Sequence, residues 1–413
     1  MVPVCLFFIF AEVLMVFAVR FFRKEFQWLI TETDECPKLD SKGLEKFFKH
    51  GYDPFLGWIR KPNTSGVETG GEHPTKYAIN SMGARCSPFT GKAESIIATF
   101  GDSYTFCRQV NDSETWQTHL ARSLNAGVLN YGVGNYGVDQ SLLRYERTPL
   151  PSSVRIVVLG FVPETICRIH SYWKHYFEFG NTFAFKPRFM LKNRKLVFFP
   201  NIMQFEKDFF RLSEKLPMIR KIDGFYRKRF RRLQFRFPYV LSFLRNPKRN
   251  AGLLKSLSNR WLMRKLKKAS VEIENAPFRR VMESNIKQAY KMYLRGGPRD
   301  LLKAILRRFK GEAVKRGHGF VVMVMPQLID LRTSEDGWAP YRSFFRELNC
   351  EMPVIDLTEF LMGHRFSQLY TNDFYGGHFS KDGNKIMGVH VAEELKKLFP
   401  LDLENNAKQK PGA

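Results

Sequence analysis

The chain is expected to fold as an α/β protein on a parallel sheet, and three observations carry that expectation. Short apolar runs at 95–100, 154–161 and 319–325 are nearly continuous rather than alternating, as strands buried on both faces are. Segments of helical spacing fall between the early runs, so that strand, helix, strand, helix and strand follow one another. The 413 residues are 44% apolar and 15% aromatic, enough to bury a large core and too apolar for a disordered chain.

Taken in order, residues 2–19 are apolar except for Glu12, and Arg20, Arg23 and Lys24 follow. At 1.5 Å per residue this run reaches about 27 Å, close to the thickness of a bilayer core. Residues 1–26 are therefore expected to form a single-pass membrane anchor, and Glu12 raises the alternative of a buried amphipathic helix. The positive flank follows the apolar run, which by the positive-inside tendency favours a cytoplasmic bulk of the chain. Residues 27–90 form a lead-in with turn-rich stretches at 52–58 and 80–83. The core then begins, with its first part over 91–200. The strand 95–100 (SIIATF) ends at Gly101-Asp102-Ser103, and 114–124 places Trp116, Leu120 and Leu124 on one helical face. A second strand at Val128-Leu129 runs into the turn-rich block 130–137 (NYGVGNYG), and a helix is expected over 140–147 before the strand 154–161. The period is lost in the aromatic-rich segment 165–200. Regular α/β reading returns with a helix over 300–316, the strand 319–325, a short strand at 353–357 and a last helix over 380–399. These close a second core part over 311–400, ahead of a polar tail at 401–413.

Between the two core parts, 201–310 reads as a basic, mostly helical insertion. The net charge of the chain is +26, and residues 201–320 alone hold 32 Lys and Arg against 9 Asp and Glu. Such a block points to an anionic partner. Arg227, Arg231 and Arg232 alternate with phenylalanines, and further on Leu253, Leu254, Leu257, Trp261 and Leu262 fall near one helical face. Lys255, Arg260, Arg264, Lys267 and Lys268 surround that face, the layout of a helix on an anionic membrane surface. A helical lid with a wet basic face, or a contact to an anionic glycan, fits the same pattern. No nucleic-acid motif accompanies it, so nucleic acid is not an expected partner.

Six cysteines with no C-x-x-C pair, one of them in the apolar N-terminus, imply no full disulfide framework, and one bridge stays open. There is no HExxH, no Cys/His cluster, no P-loop and no GxGxxG fingerprint, so neither a metal nor a cofactor is expected.

The chemistry-bearing residues are Ser103 and His378. Ser103 sits where a strand turns into a helix, a position that exposes a hydroxyl and aims helical N–H groups at developing negative charge. A serine needs a base, and among nine histidines His378 is the best presented, in Gly376-Gly377-His378-Phe379-Ser380 just before the final helix. Asp373 lies five residues upstream, where it can orient the imidazole. His119 reads as a helix-face residue and His318 as a turn residue.

The strand-GDS turn, the block Asn130-Tyr131-Gly132-Val133-Gly134-Asn135-Tyr136-Gly137-Val138-Asp139-Gln140, the strand ending Leu159-Gly160-Phe161 and the closing Gly-Gly-His-Phe-Ser-x-x-Gly-Asn resemble the SGNH, or GDSL-type, hydrolases. The lead-in motifs Asp53-Pro54-x-Leu56-Gly57-Trp58 and Asn80-Ser81-x-Gly83-x-Arg85 are similar to those of a membrane-anchored bacterial branch linked to surface polysaccharides. The resemblance covers 50–165 and 315–398. It implies a three-layer α/β/α fold, acyl-ester chemistry on a carbohydrate, and a catalytic domain outside the cytoplasmic membrane. It assigns Ser103 as nucleophile, His378 as base and Asp373 as orienting acid. Oxyanion donors are then expected from the backbone of Ser103 and of Gly134 or Asn135. The family's third-block Asn is absent: Pro163-Glu164-Thr165-Ile166 stands there, leaving Thr165, or Arg168, to donate. A non-catalytic glycan- or membrane-binding module is the competing expectation.

Overall fold

A computed structural model describes the chain apart from residues 1, 24–28, 70–72, 90–93, 336, 372–376 and 400–413. It divides into two compact units. One, the sheet unit, comprises 59–169, 189–199 and 289–413; the other, the basic unit, comprises 1–58, 170–188 and 200–288.

The sheet unit is built on five parallel strands: β1 (Ser95–Phe100), β2 (Gly127–Asn130), β3 (Ile156–Phe161), β4 (Gly319–Val324) and β5 (Val354–Asp356). Their order across the sheet is β5-β4-β3-β1-β2. All six residues of β3 are buried, which explains its uninterrupted apolar run: both faces are covered. One face carries α1 (Trp116–Leu124) and α4 (Lys381–Leu398), which pack on each other. Trp116, Leu120, Met387 and Val391 join Ile97, Val158 and Val321 in one apolar cluster there. The other face carries α2 (Val138–Arg147) and α3 (Gly296–Lys315), where Phe100, Tyr145, Phe309 and Phe320 make a run of ring contacts. The result is the α/β protein on a parallel sheet expected from the strand and helix order, in the three-layer α/β/α arrangement that the resemblance implies.

The direction in which strands are added across the sheet reverses between β1 and β3. From β1 the chain moves outward to β2, and from β3 it moves outward the other way to β4 and β5. In open α/β sheets such a switch point, at the carboxyl ends of the strands, is where ligands bind. Ser103 lies three residues beyond the end of β1.

The basic unit differs from the expected insertion in its extent. Residues 170–188 and the segment up to Trp58 belong with 200–288 in one body, whereas α3 covers the sheet. The reason is aromatic packing. Trp173 stacks on Phe185 at 4.8 Å, and Tyr176 meets Tyr226 and Phe230, so the segment that shows no period is held by rings together with one short antiparallel pairing, in which Lys174 and Lys186 donate their N–H groups to the Ala184 and Tyr172 carbonyls at 3.0 Å. Among these rings Asp223 is buried and accepts backbone N–H groups from Tyr172, Trp173, Phe225 and Tyr226.

The amphipathic face at 253–262 is also placed differently from the expectation. Within helix Pro247–Lys265, Leu253 and Leu257 are buried against Val19, Leu29 and Phe235, so most of this face is covered by the apolar N-terminal helix Val2–Arg23. Only Trp261 and Leu262 of the expected five are exposed. The six cysteines are free thiols.

Candidate active site

Gly101, Asp102 and Ser103 make the turn from β1 into the short helix Ser103–Phe106. Gly101 has φ +155°, and a side chain there would meet Thr105 Oγ1 at 2.1 Å and the Gly160 carbonyl at 2.6 Å. The turn therefore lies tight against β3 only because this position has no Cβ. Asp102 caps the helix, its carboxylate accepting the Tyr104 N–H at 2.9 Å. As first residue of the helix, Ser103 keeps its N–H outside the helical ladder.

His378 reaches the same place from the far end of the chain. The hydroxyl of Ser103 and Nε2 of His378 are 3.0 Å apart, and the imidazole is 5% exposed. A set of contacts holds the histidine segment. Thr371 donates its N–H to the His378 carbonyl at 2.8 Å, and Ser380 donates its N–H to the Leu369 carbonyl at 2.8 Å. Tyr104, next to the serine, lays its ring 4.9 Å from the imidazole and donates its hydroxyl to the Gly377 carbonyl at 2.9 Å. Asn384 accepts the Trp116 N–H at 3.0 Å and donates to the Phe379 and Ser380 carbonyls, tying the start of α4 to the start of α1. Gly383 allows this approach, since a Cβ there would sit 2.1 Å from the Leu369 carbonyl. Asp373, the expected orienting acid, and Gly376 lie outside the described residues.

The block after β2 passes beside the serine. A methyl group added at Gly134 would lie 4.0 Å from the Ser103 Cβ, and Tyr136 closes a turn by donating to the Val133 carbonyl at 3.2 Å. Asn135, at the exposed tip, has a left-handed φ of +70°. Neither its N–H nor that of Ser103 meets an acceptor among the described residues.

The third-block expectation for Thr165 needs correction. Its hydroxyl donates to the Val162 carbonyl at 2.7 Å, which uses its one hydrogen inside its own turn. Arg168 reaches the serine turn: Nη1 lies 3.2 Å from both the Asp102 carboxylate and the Tyr136 carbonyl. It thus bridges the nucleophile turn and the Gly134–Asn135 turn.

Arg85 is a support that sequence reasoning met only as part of a motif. It is 3% exposed and donates to the carbonyls of Phe106, Cys107 and Val110 at 2.6–2.7 Å, with Asp112 as counter-ion at 2.7 Å. These are the carbonyls at and just beyond the C-terminal end of the serine's helix, which four residues of helix cannot satisfy internally. Nearby, Arg144 donates to the Tyr131 and Gly83 carbonyls. An Arg five residues beyond the turn-forming Asn80, in a stretch with a Gly two residues before it, is the signal that could have found Arg85.

The basic-unit candidates divide. Arg227, Arg231, Arg232, Lys255, Lys267 and Lys268 are exposed. Arg260 is half-buried, and Arg264 is engaged by Glu274 at 2.5–2.6 Å, so its charge is already answered.

No family model matches the chain. No curated protein matches it either. Among solved structures it matches one from Desulfitobacterium hafniense DCB-2, described as a lipolytic protein of the G-D-S-L family, with 12% identity and a TM-score of 0.32, over 73% of this chain and 99% of that one.

Proposed function

We propose that the chain is a serine ester hydrolase or O-acyltransferase of the SGNH type, tethered to a membrane by Val2–Arg23. Its substrate class is an acyl ester, an O-acetyl group of a carbohydrate or surface polysaccharide. The observation that carries the reading is the 3.0 Å contact between Ser103 and His378 at the switch point of a parallel sheet. In this reading His378 Nε2 takes the Ser103 proton as Oγ attacks the ester carbonyl. Backbone N–H groups of Ser103 and of the Gly134–Asn135 turn receive the oxyanion. His378 then gives the proton to the departing alkoxide, leaving an acyl-serine that water or an acceptor hydroxyl resolves by the same route in reverse. Asp373 is assigned the orienting role on the sequence pattern. Arg168 is assigned a positioning role, holding the two turns together where the family has its donor Asn.

A second reading, a non-catalytic binding module, is favoured by one observation: the third block offers no hydroxyl or amide donor, with Thr165 bonded to Val162. Fluorophosphonate labelling separates the two. An activated serine labels in the wild type and loses at least about 10^4-fold in rate in Ser103→Ala or His378→Ala, by analogy with removal of triad members elsewhere. A folded wild type that does not label sinks the enzyme reading.

A further inference from the structure

Glu12 is the one charged residue in an otherwise apolar run, and the structure gives it a partner. Helix Val2–Arg23 contains the stretch Cys5–Phe22, long and apolar enough to cross a membrane and only 6% buried. The face that does pack carries Glu12, Met15, Val19 and Phe22, spaced three or four residues apart. Residues 5–10 are exposed on all sides. The Glu12 carboxylate accepts the backbone N–H groups of Tyr239 and, at 2.9 Å, Val240. These are the first two residues of helix Tyr239–Leu244, whose preceding residue is Pro238 and which has no side-chain cap of its own. A carboxylate at a helix N-terminus is favoured by the orphan N–H groups and the dipole, and its bonds are charge-assisted.

The consequence is one of depth. Glu12 is the eleventh of the 22 residues of its helix, about 16 Å from the start at 1.5 Å per residue. Helix Tyr239–Leu244 is therefore fastened halfway along the apolar helix. The outward residues of this helix and of the segment just before it are apolar: Phe237 is 72% exposed, Leu241 55% and Leu244 54%. Beside it, Trp261 meets Phe21 edge-on at 6.0 Å, with Leu262 and Leu266 exposed. Exposed Arg245, Lys248, Lys265, Lys267 and Lys268 follow these residues in sequence. Apolar wedge, interfacial tryptophan and basic flank are the parts of a surface that enters an anionic leaflet.

We propose that the membrane element is a pair, the anchor helix and a second wedge over 237–244 that Glu12 locks to it, and that the pair seats in an anionic phospholipid bilayer. This rests on the anchor reading above. A carboxylate at the middle of a bare apolar span is costly; as the cap of a second inserted helix it is satisfied, together with the N–H groups it accepts.

The test uses the full chain in vesicles of phosphatidylcholine, with and without phosphatidylglycerol, doped with a lipid carrying a diazirine in its acyl chain. Adducts are mapped by mass spectrometry. Adducts on both 5–17 and 237–244, stronger with phosphatidylglycerol and weakened by salt, support the proposal. Adducts on 5–17 alone overturn the wedge and leave the anchor reading standing. Adducts on neither overturn both. Yields independent of phosphatidylglycerol overturn the commitment to anionic lipid. In Glu12→Ala, adducts on 237–244 fall about tenfold relative to those on 5–17, the change that about 1.4 kcal/mol of lost docking produces. Leu241→Asp, which leaves Glu12 in place, gives the same selective loss, and unchanged adducts in both variants overturn the proposal.

Discussion

In the sheet unit Arg85 and Arg144 are buried and donate to backbone carbonyls around the serine turn, and the largely covered Arg168 bridges Asp102 and the Tyr136 carbonyl. In the basic unit Arg227, Arg231 and Arg232 are exposed. The same residue type serves opposite ends. Inside the sheet unit the planar guanidinium answers several carbonyls at once and fixes loops that have no ladder of their own. Outside, its charge faces solvent, where only an anionic partner gives it a role. The lesson is that a count of positive charge does not locate a binding surface until the internally satisfied cations are removed from it. Arg264, which the structure pairs with Glu274 while leaving its side chain 46% exposed, stands between the two groups.

Four measurements break or sharpen this contrast. The largest effect is expected for Arg85→Met. Leaving three carbonyls unanswered and Asp112 with only the Ala78 N–H costs about 3 kcal/mol of stability, read by denaturant titration. A loss as small as that of a surface arginine would end the contrast.

Arg168→Met is expected next. With the fold retained, displacement of the serine turn lowers the fluorophosphonate labelling rate about 100-fold. Arg168→Lys restores part of the rate if the charge beside Asp102 matters, and an unchanged rate in both variants removes Arg168 from the site.

The third test is pH. In the basic unit burial holds His170 down to about 3 and His175 to about 4. His175 is fixed as a neutral ring: Nδ1 accepts the Gly180 N–H, so Nε2–H donates to the Asp34 carbonyl. The folded form binds fewer protons than the unfolded one. The stabilisation is therefore complete above the ordinary histidine pKa, near 6.5, and drains away as pH falls through 6 toward 4. Asp330 in the sheet unit has the opposite sign. Buried beside Tyr290 and Gln327, its carboxyl is pushed up to about 7, chiefly by burial. Its stabilisation is present below about pH 4 and is lost as pH rises through 7. Hydrogen exchange resolved by peptide is expected to show protection in the basic unit falling between pH 7 and 5, less so in His170→Asn. In the sheet unit Asp330 opposes His119, His318 and His390, which burial holds below the ordinary histidine value, so protection there is expected to fall less than in the basic unit, and Asp330→Asn is expected to deepen the fall. Each group contributes at most about 1.4 kcal/mol per pH unit.

The smallest effect is expected for the double change Arg231→Ala and Arg232→Ala. Stability stays within about 0.5 kcal/mol of wild type, as for surface substitutions away from buried networks, measured by the same titration as Arg85→Met.

Much of the sheet unit was legible. The strands at 95–100, 154–161 and 319–325 appear almost where uninterrupted apolar runs put them, because burial on both faces leaves no choice of residue. Helix limits moved by two to four residues where caps decided them, as at Thr115 before Trp116. The serine and histidine were legible as a pattern of turn residues. The basic unit was less so. The leucines at 253 and 257 read as a surface stripe, and periodicity says only that a face is apolar, not what covers it. The segment 170–188 had no period because ring stacking around a single bridge, Trp173 to Phe185, orders it, and no extended ladder does. Thr165 looked like a donor because a sequence does not show where a hydroxyl's one hydrogen goes.

By itself, the sequence determined the elements and the nature of their surfaces, since local backbone preference and burial pattern are written within a few residues. Tertiary structure alone decided the pairings between distant residues. Ser103 meets His378 across 275 positions because sheet order brings the end of β1 to the start of α4. Glu12 meets Val240 across 228 positions because a helix N-terminus needed acceptors that its own sequence lacks. Contacts of that range depend on where whole elements pack, and no local preference encodes them.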